Sequence, residues 1–244
     1  MAIKPRGYDY EECLACGGTG HKSRPGPGVD PKCAACGGLG MTKTPKENPQ
    51  HSSASNEHYT PEPIVEAARS VLGVIELDPA SCTLGQEVVK AIAWYGPGSE
   101  LAEDGLAEPW MGKVFLNPPG GKVPEQYAGL GTRSNAALWW SALAGYWQEG
   151  EVEAAIFVGF TLEVLRAAQA LDVPQPLDFP LCVPKQRIRF DTEEGGKRIA
   201  SDSPTHANVI VYLPPKPWKL GKGDSTTMTA QFRRIFSPLG KCRI

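Results

Sequence analysis

Residues 113–120 have the sequence KVFLNPPG, in which a short apolar run ends abruptly at Asn117 and two prolines. An apolar run of this length, bounded by a turn signal, is typical of a buried strand. Three other apolar runs have the same character and predict further strands, at 74–77, 154–160 and 207–213. Apolar residues at helical spacing predict helices at 61–72, 134–149 and 162–171. Buried strands that alternate with helices predict an α/β fold with a largely parallel sheet.

Two polar side chains come directly after predicted strands. Asp78 follows the run at 74–77, and Asn117 follows the run at 113–116. In open sheets of this kind, ligands bind in a crevice beyond the carboxyl ends of the strands. We therefore expect Asp78 and Asn117 to lie at a ligand-binding edge of the sheet.

Asn117, Pro118 and Pro119 are residue types suited to holding a planar amine. An amine conjugated to a ring is a weak nucleophile because its lone pair is delocalised. The amide oxygen of Asn117 and the next carbonyl can both accept hydrogen bonds from such an amine, which would align its nitrogen with a methyl donor. Prolines stiffen the loop that carries these acceptors. The motif therefore predicts a catalytic role for Asn117, Pro118 and Pro119.

Three other segments of the chain carry recognisable motifs before Asn117, two at predicted strand or helix ends and one in a polar turn. They are YTPEP at 59–63, LDPAS at 77–81 followed by Gly85, and the polar turn EDGLAEPW at 103–110. Together with LNPPGG and the later RIRF at 187–190, they resemble motifs X, I and IV of phage-type DNA N6-adenine methyltransferases, a Dam-like class I family. The resemblance covers roughly residues 58–213.

This resemblance implies a Rossmann-like class I methyltransferase sheet with flanking helices and an adenine-specific DNA-methyltransferase activity. It implies S-adenosyl-L-methionine as cofactor and double-stranded DNA as partner, with Asn117 to Pro119 holding the target amine. The residues it assigns to cofactor binding are Thr60, Pro61, Asp78, Pro79, Ala80, Asp104 and Asn117.

The sequence departs from the family where motif IV ordinarily ends in an aromatic residue, because Gly120 stands there. A base flipped out of DNA needs an aromatic or apolar surface to offset its lost stacking. Trp139 and Trp140, or Tyr127, are the candidates for that surface, and the alternative is that the tryptophans belong to a buried helix face. Arg187 and Arg189 alternate with apolar residues, which suits contacts with DNA phosphates or an ordinary salt-bridged strand. We therefore predict nucleic-acid binding at Trp139, Trp140, Arg187 and Arg189.

The first 41 residues contain an internal repeat, since CxxCGGxG occurs at 13–20 and again at 33–40. Zinc binds thiolates in tetrahedral sites, and two CxxC turns about 16 residues apart match a four-cysteine site. We predict zinc bound by Cys13, Cys16, Cys33 and Cys36. The repeat resembles the CxxCxGxG repeats of J-domain chaperones over this segment alone. Zinc would either stabilise a segment that is too small to form its own hydrophobic core or help the segment to bind nucleic acid.

Composition and charge set the remaining expectations. Residues 42–57 are polar and proline-bearing, which predicts a linker between the zinc module and a domain at 58–213, followed by a basic extension at 214–244. Net charge is +2 over 1–50, −11 over 51–184 and +7 over 185–244, so a polyanion would contact the ends of this sequence. No apolar run approaches about 20 residues, and the N-terminus lacks an apolar signal segment. We expect a cytoplasmic protein with no membrane partner.

Two alternatives to DNA adenine methylation remain open. The same motif serves methylation of other planar groups, such as an RNA base or a protein glutamine. A relative that kept the fold but lost the aromatic at Gly120 would instead bind nucleic acid without catalysis.

Overall fold

The computed structural model describes residues 8–14, 41–45, 58–130, 134–200, 206–216 and 227–244. The chain divides into two compact units, Met1–Ala54 and Ser55–Ile244.

The first unit contains two antiparallel strands, β1 (Tyr8–Glu12) and β2 (Met41–Pro45). Glu12 pairs with Met41, so the two ends of the cysteine-rich segment meet at this strand pair. The predicted start of the linker at residue 42 is wrong, because residues up to Pro45 form β2. The segment is polar, and its strand conformation depends on pairing with β1, which local composition does not reveal.

The second unit is built on a seven-stranded sheet. Its strands, in chain order, are β3 (Leu77–Asp78), β4 (Ala93–Trp94), β5 (Gly112–Leu116), β6 (Val152–Gly159), β7 (Leu181–Pro184), β10 (Val209–Leu213) and β11 (Gly240–Arg243). Their order in the sheet is β11-β7-β10-β6-β5-β3-β4. A separate hairpin consists of β8 (Asp191–Glu194) and β9 (Lys197–Ala200).

The sheet is mixed: four neighbouring strands form a parallel half, and two of the other three, β10 and β11, run in the opposite direction. Strands β4, β3, β5 and β6 run parallel to one another. Strand β10 is antiparallel to both of its neighbours, β6 and β7, so β7 has the same direction as the parallel half. The predicted α/β class is confirmed, and the sheet is compatible with a Rossmann-like fold.

Helices cover both faces of this sheet. They are α1 (Glu62–Leu72), α2 (Thr83–Val89), α3 (Asn135–Glu149), α4 (Glu163–Ala167) and α5 (Thr227–Phe236). Alternate residues of β6 enter different cores: Ala155 and Phe157 join a cluster with α3 and α4, whereas Ile156 joins a cluster with α1 and α5. Such alternation is what a central strand with two buried faces requires.

The predicted helices and strands are found with shifted ends. Helix α1 begins one residue after Pro61, and α3 begins after its N-cap Ser134, whose side chain accepts from Ala137 N at 3.3 Å. The run at 74–77 forms a strand only at Leu77–Asp78. The predicted helix at 162–171 is interrupted, because α4 gives way to a 3₁₀ turn at Ala168–Ala170.

The segment predicted as a separate C-terminal extension belongs to the second unit. Strand β11 pairs with β7, and α5 buries Phe232 and Phe236 completely. The predicted boundary at residue 213 is therefore wrong. The segment is basic, but its apolar residues Phe232 and Phe236 pack in the core on one side of the sheet.

The assignment of Trp139 and Trp140 to nucleic-acid binding is also wrong. Trp139 is 6% exposed and stacks on Trp110 with ring centroids 5.8 Å apart. Trp140 is fully buried and donates its indole N–H to Pro174 O at 2.9 Å. Both rings fill the core under α3, because a 15-residue helix that is apolar on most sides needs large side chains to pack against the sheet.

Candidate functional site

A small cleft that opens to solvent, with a cavity volume of about 40 Å³, lies at the carboxyl ends of β3 and β5. Six residues predicted from the sequence line it, although they come from distant parts of the chain. They are Thr60, Asp78, Ala80, Asn117, Pro118 and Pro119. Seven more lining residues were not predicted as site residues: His58, Tyr59, Ser81, Cys82, Gly85, Val89 and Phe115. Pro61, Pro79 and Asp104 do not line the cleft.

Asp78 is a buried carboxyl at the floor of this cleft, only 3% exposed. Its Oδ1 accepts from Ala80 N at 3.3 Å, and its Oδ2 accepts from Gln86 Nε2 at 3.1 Å. Burial raises the pKa of Asp78 to about 7, although hydrogen bonds from Ser81, Ala80 and Gln86 act in the opposite direction. A ligand that brought a cationic or hydroxyl donor to Asp78 would stabilise its ionised form.

The Gln86 side chain fixes the loop that follows Asp78. Its Nε2 donates both to Asp78 and to Ser81 Oγ at 2.7 Å, while its Oε1 accepts from Ala91 N at 2.9 Å. Sequence reasoning missed Gln86. The available signal was its position in the first helix after the LDPAS motif, where it faces back toward the strand end.

Thr60 lines the cleft and carries a buried hydroxyl. The residue is 4% exposed, and its Oγ1 has no hydrogen-bond partner among the described residues. Burying a hydroxyl without a partner costs free energy. Because Thr60 lines the cleft, a bound ligand is the natural partner for this oxygen.

The backbone beside Thr60 is tied to the β8–β9 hairpin. Tyr59 and Asp191 exchange backbone hydrogen bonds at 2.8 and 2.9 Å. Arg198 reaches across from β9 and donates to Asp191 Oδ2 at 2.8 Å, to Thr60 O at 3.0 Å and to Leu84 O at 3.5 Å. Its guanidinium also lies 5.4 Å from the centre of the Tyr59 ring. Sequence reasoning missed Arg198, since nothing local marks it apart from other arginines.

Asn117 is held in one orientation by the backbone. Its Nδ2 donates to His58 O at 2.6 Å. Oδ1 lies in the same amide plane and points away from Nδ2, and no described residue donates to it. The side chain therefore keeps an acceptor available beside the cleft.

Asn135 holds the loop that follows Asn117. Its Nδ2 donates to Pro119 O at 3.0 Å and to Gly120 O at 3.3 Å. Asn135 is 4% exposed, and its Oδ1 has no partner among the described residues. It was not predicted as a site residue; an asparagine in the first turn of an apolar helix was the signal for it.

The turn at Asp104 contacts the Asp78 loop from the other side. A Cβ added to Gly105 would lie 1.8 Å from Pro79 O, so the two backbones touch. Asp104 Oδ1 caps this turn by accepting from Leu106 N at 3.0 Å, and Oδ2 accepts from the Tyr127 hydroxyl at 2.7 Å. Burial, with the hydrogen bond to Asp104 and its charge, raises the pKa of Tyr127 to about 12.

Arg187 and Arg189 are exposed, whereas Ile188 and Phe190 between and after them are buried. This alternation is as predicted, but it occurs in extended loop rather than in a strand. Ile188 N donates to Asn208 Oδ1 at 2.7 Å, and this anchors the arginine segment beside the end of β6.

The predicted zinc ligands lie mostly beyond the described residues. Cys13 is 1% exposed, and Cys16, Cys33 and Cys36 fall outside the described ranges. In the part of the chain that the structure describes, no cluster of three or more His, Cys, Asp or Glu side chains is placed to hold a metal ion.

None of the described helices combines the length and the apolar character needed to cross a membrane. Comparisons of the chain with protein-family models, with curated proteins and with solved structures find no match.

Proposed function

We propose that the second unit is an S-adenosyl-L-methionine-dependent methyltransferase that methylates the N6 amino group of adenine in DNA. The observation that supports this most strongly is the single cleft in which Thr60, Asp78 and Asn117 come together. These residues belong to three separate motifs, and the fold brings all three to one edge of the sheet.

The residues of the cleft fit the proposed cofactor. Thr60 has a buried hydroxyl without a partner, and Asp78 has a buried carboxyl whose ionised form lacks a cationic partner among the described residues. S-adenosyl-L-methionine carries an ammonium group and hydroxyls that suit these two positions, and it supplies an electrophilic methyl group when bound. Asp104 would act indirectly, because its turn supports the Pro79 backbone.

The orientation of Asn117 fits an amine substrate. With Nδ2 engaged by His58 O, Oδ1 accepts a hydrogen bond from the substrate amine and Pro118 O accepts a second. Two acceptors on one NH₂ group orient its nitrogen and favour the pyramidal form that attacks. Asn135 keeps the loop in place by holding the next two carbonyls. The reaction requires no strong general base, since the amine loses its proton after it has gained the methyl group.

The sheet supports the same proposal. Strand β10 is antiparallel and lies between two strands that share the opposite direction. The mostly parallel half of the sheet, with helices on both faces, is the Rossmann-like arrangement that the proposal requires, because ligands bind beyond the carboxyl ends of such strands.

The test is transfer of labelled methyl from S-adenosyl-L-methionine to unmethylated duplex DNA, to RNA and to protein in parallel. The proposal expects label in DNA from the wild type and from Gln169→Ala, which removes an exposed amide that bonds only its own helix backbone. Label in RNA or protein but not in DNA would replace the proposed substrate. No transfer to any substrate, despite cofactor binding, would indicate a catalytically inactive nucleic-acid-binding protein.

We also propose that the first unit binds zinc through Cys13, Cys16, Cys33 and Cys36. The β1–β2 pair supports this because it brings the two ends of the segment containing all four cysteines together. Metal analysis of the purified protein should find about one zinc ion per chain, and Cys16→Ser should reduce that content. Protein that contains no zinc after purification without chelators would contradict the assignment.

A further inference from the structure

Three aromatic side chains line the cleft beside Asn117: His58, Tyr59 and Phe115. Tyr59 is 6% exposed and Phe115 is 1% exposed, so neither offers a ring face to a ligand. His58 is half-buried and keeps part of its surface open. Since Gly120 supplies no ring, His58 is the aromatic residue of the cleft that is placed to meet a planar group.

The position of His58 is coupled to that of Asn117. The backbone carbonyl of His58 accepts the Asn117 amide at 2.6 Å, so the residue that orients the proposed amine acceptor also carries the ring. Both residues line the cleft, so the His58 side chain and the proposed amine acceptor border the same space.

The His58 ring is held rigidly from behind. It stacks on Phe160 with ring centroids 4.4 Å apart and an interplanar angle of 17°. Phe190 meets the His58 ring edge-on at 6.4 Å, and Phe160 also contacts His206 at 4.9 Å. A ring fixed in this way loses little freedom when another planar group stacks on it.

Burial and the nearby His206 lower the pKa of His58, so the imidazole is neutral near pH 7. The desolvation of a neutral ring by a neutral base costs less than the desolvation of a charged one.

Positive charge lies next to the ring cluster formed by His58, Phe160, Phe190 and His206. The Phe160 carbonyl accepts from Asn208 Nδ2 at 2.7 Å, and Asn208 in turn holds the backbone of Ile188. The exposed residues Arg187 and Arg189 flank Ile188, so the segment anchored beside Phe160 carries two cationic side chains of the type that contacts phosphates. Aromatic rings next to basic groups are the usual combination for binding an unstacked base.

We propose that the ring of His58, backed by Phe160, is the surface on which an adenine base extruded from DNA stacks. It takes the place of the aromatic residue that is absent at Gly120. This inference rests on the proposed function, because it concerns the substrate base of the same cleft.

The test compares binding of a short oligodeoxyadenylate with binding of an abasic oligonucleotide of equal length, by fluorescence anisotropy. His58→Ala removes the ring but keeps the carbonyl that holds Asn117. We expect it to weaken binding of the oligodeoxyadenylate about five- to a hundredfold, the range for one lost base–aromatic contact, and to leave abasic binding unchanged. His58→Phe should restore most of the loss.

His206→Ala is the matched control, because it removes a histidine from the same ring cluster but not from the lining of the cleft. Equal losses for His58→Ala and His206→Ala, or equal losses for the two oligonucleotides, would overturn the proposal. A larger base-dependent preference for the corresponding RNA would overturn the assignment to a DNA base. These outcomes are separate from failure of the proposed function, because base binding is measured without methyl transfer.

Discussion

Replacement of Arg198 by alanine tests whether the β8–β9 hairpin supports the cleft in which we propose that the cofactor binds. The Arg198–Asp191 ion pair is 2.8 Å long, with side chains 9% and 22% exposed. Removal of one partner from a buried pair costs about 3–5 kcal/mol. Because Asp191 is partly solvated, we expect the free energy of unfolding to fall by about 2–3 kcal/mol.

The same variant should weaken cofactor binding in the folded protein. Arg198 donates to Thr60 O and Leu84 O; Thr60 lines the cleft, and Leu84 lies between the lining residues Cys82 and Gly85. If the Thr60 hydroxyl is displaced, the loss of one hydrogen bond to the ligand is worth about 0.5–1.5 kcal/mol. The dissociation constant of S-adenosyl-L-methionine should therefore rise about two- to tenfold.

Urea unfolding and titration calorimetry measure these two effects. Arg166→Ala is the control, since Arg166 also pairs with a carboxylate, Glu163, but the pair is exposed and away from the cleft lining. We expect this control to change neither stability nor affinity. Arg198→Lys should lose less stability and cofactor affinity than Arg198→Ala but more than the control, because one ammonium group cannot reach all three acceptors. If Arg198→Ala is folded at the assay temperature and binds the cofactor as tightly as the wild type, the reasoning is refuted.

Three further predictions concern the cleft and its support. In the ligand-free protein, the raised pKa of Asp78 means that the folded state holds a proton that the unfolded state has lost. The free energy of unfolding should therefore fall as pH rises from about 4 to about 7. Asp78→Asn should flatten this pH profile in urea unfolding and should weaken cofactor binding. Gly105→Ala should cost about 1–3 kcal/mol because its Cβ would strike Pro79 O, whereas Gly145→Ala, with open space at its Cβ, should stabilise α3 by about 0.5–1 kcal/mol in the same thermal scan. Asn135→Ala should lower kcat about two- to tenfold through the freed loop carbonyls, and steady-state kinetics with unchanged cofactor affinity would separate this effect from general unfolding.

The parts of the fold that the sequence predicted depend on local patterns. The apolar run before Asn117 predicted β5, and periodic apolar residues predicted α1 and α3 close to their observed ends. The position of Asp78 and Asn117 beyond strand ends was sufficient to predict that they share an edge.

The features that the sequence did not reveal depend on distant contacts. Strand β2 is polar and forms by pairing with β1, and β11 joins the sheet only through β7. The burial of Trp140 follows from the way α3 packs, which a count of aromatic residues does not specify.

Site residues were missed for the same reason. Arg198 bonds Thr60 from far along the chain, and no short motif contains both residues. The His58 carbonyl accepts from Asn117, and the His58 ring stacks on Phe160, which lies far along the chain. The sequence predicted Phe160 only as the end of a strand.

The central claim is that Asn117 directs methyl transfer to an adenine amine. Its most direct test is nucleoside analysis of unmethylated duplex DNA after incubation with S-adenosyl-L-methionine and either wild type or Asn117→Ala. Titration calorimetry confirms beforehand that both proteins bind the cofactor. The account predicts N6-methyldeoxyadenosine with the wild type and none above background with Asn117→Ala. Equal amounts of N6-methyldeoxyadenosine with both proteins, or a methylated base other than adenine with the wild type, would contradict it.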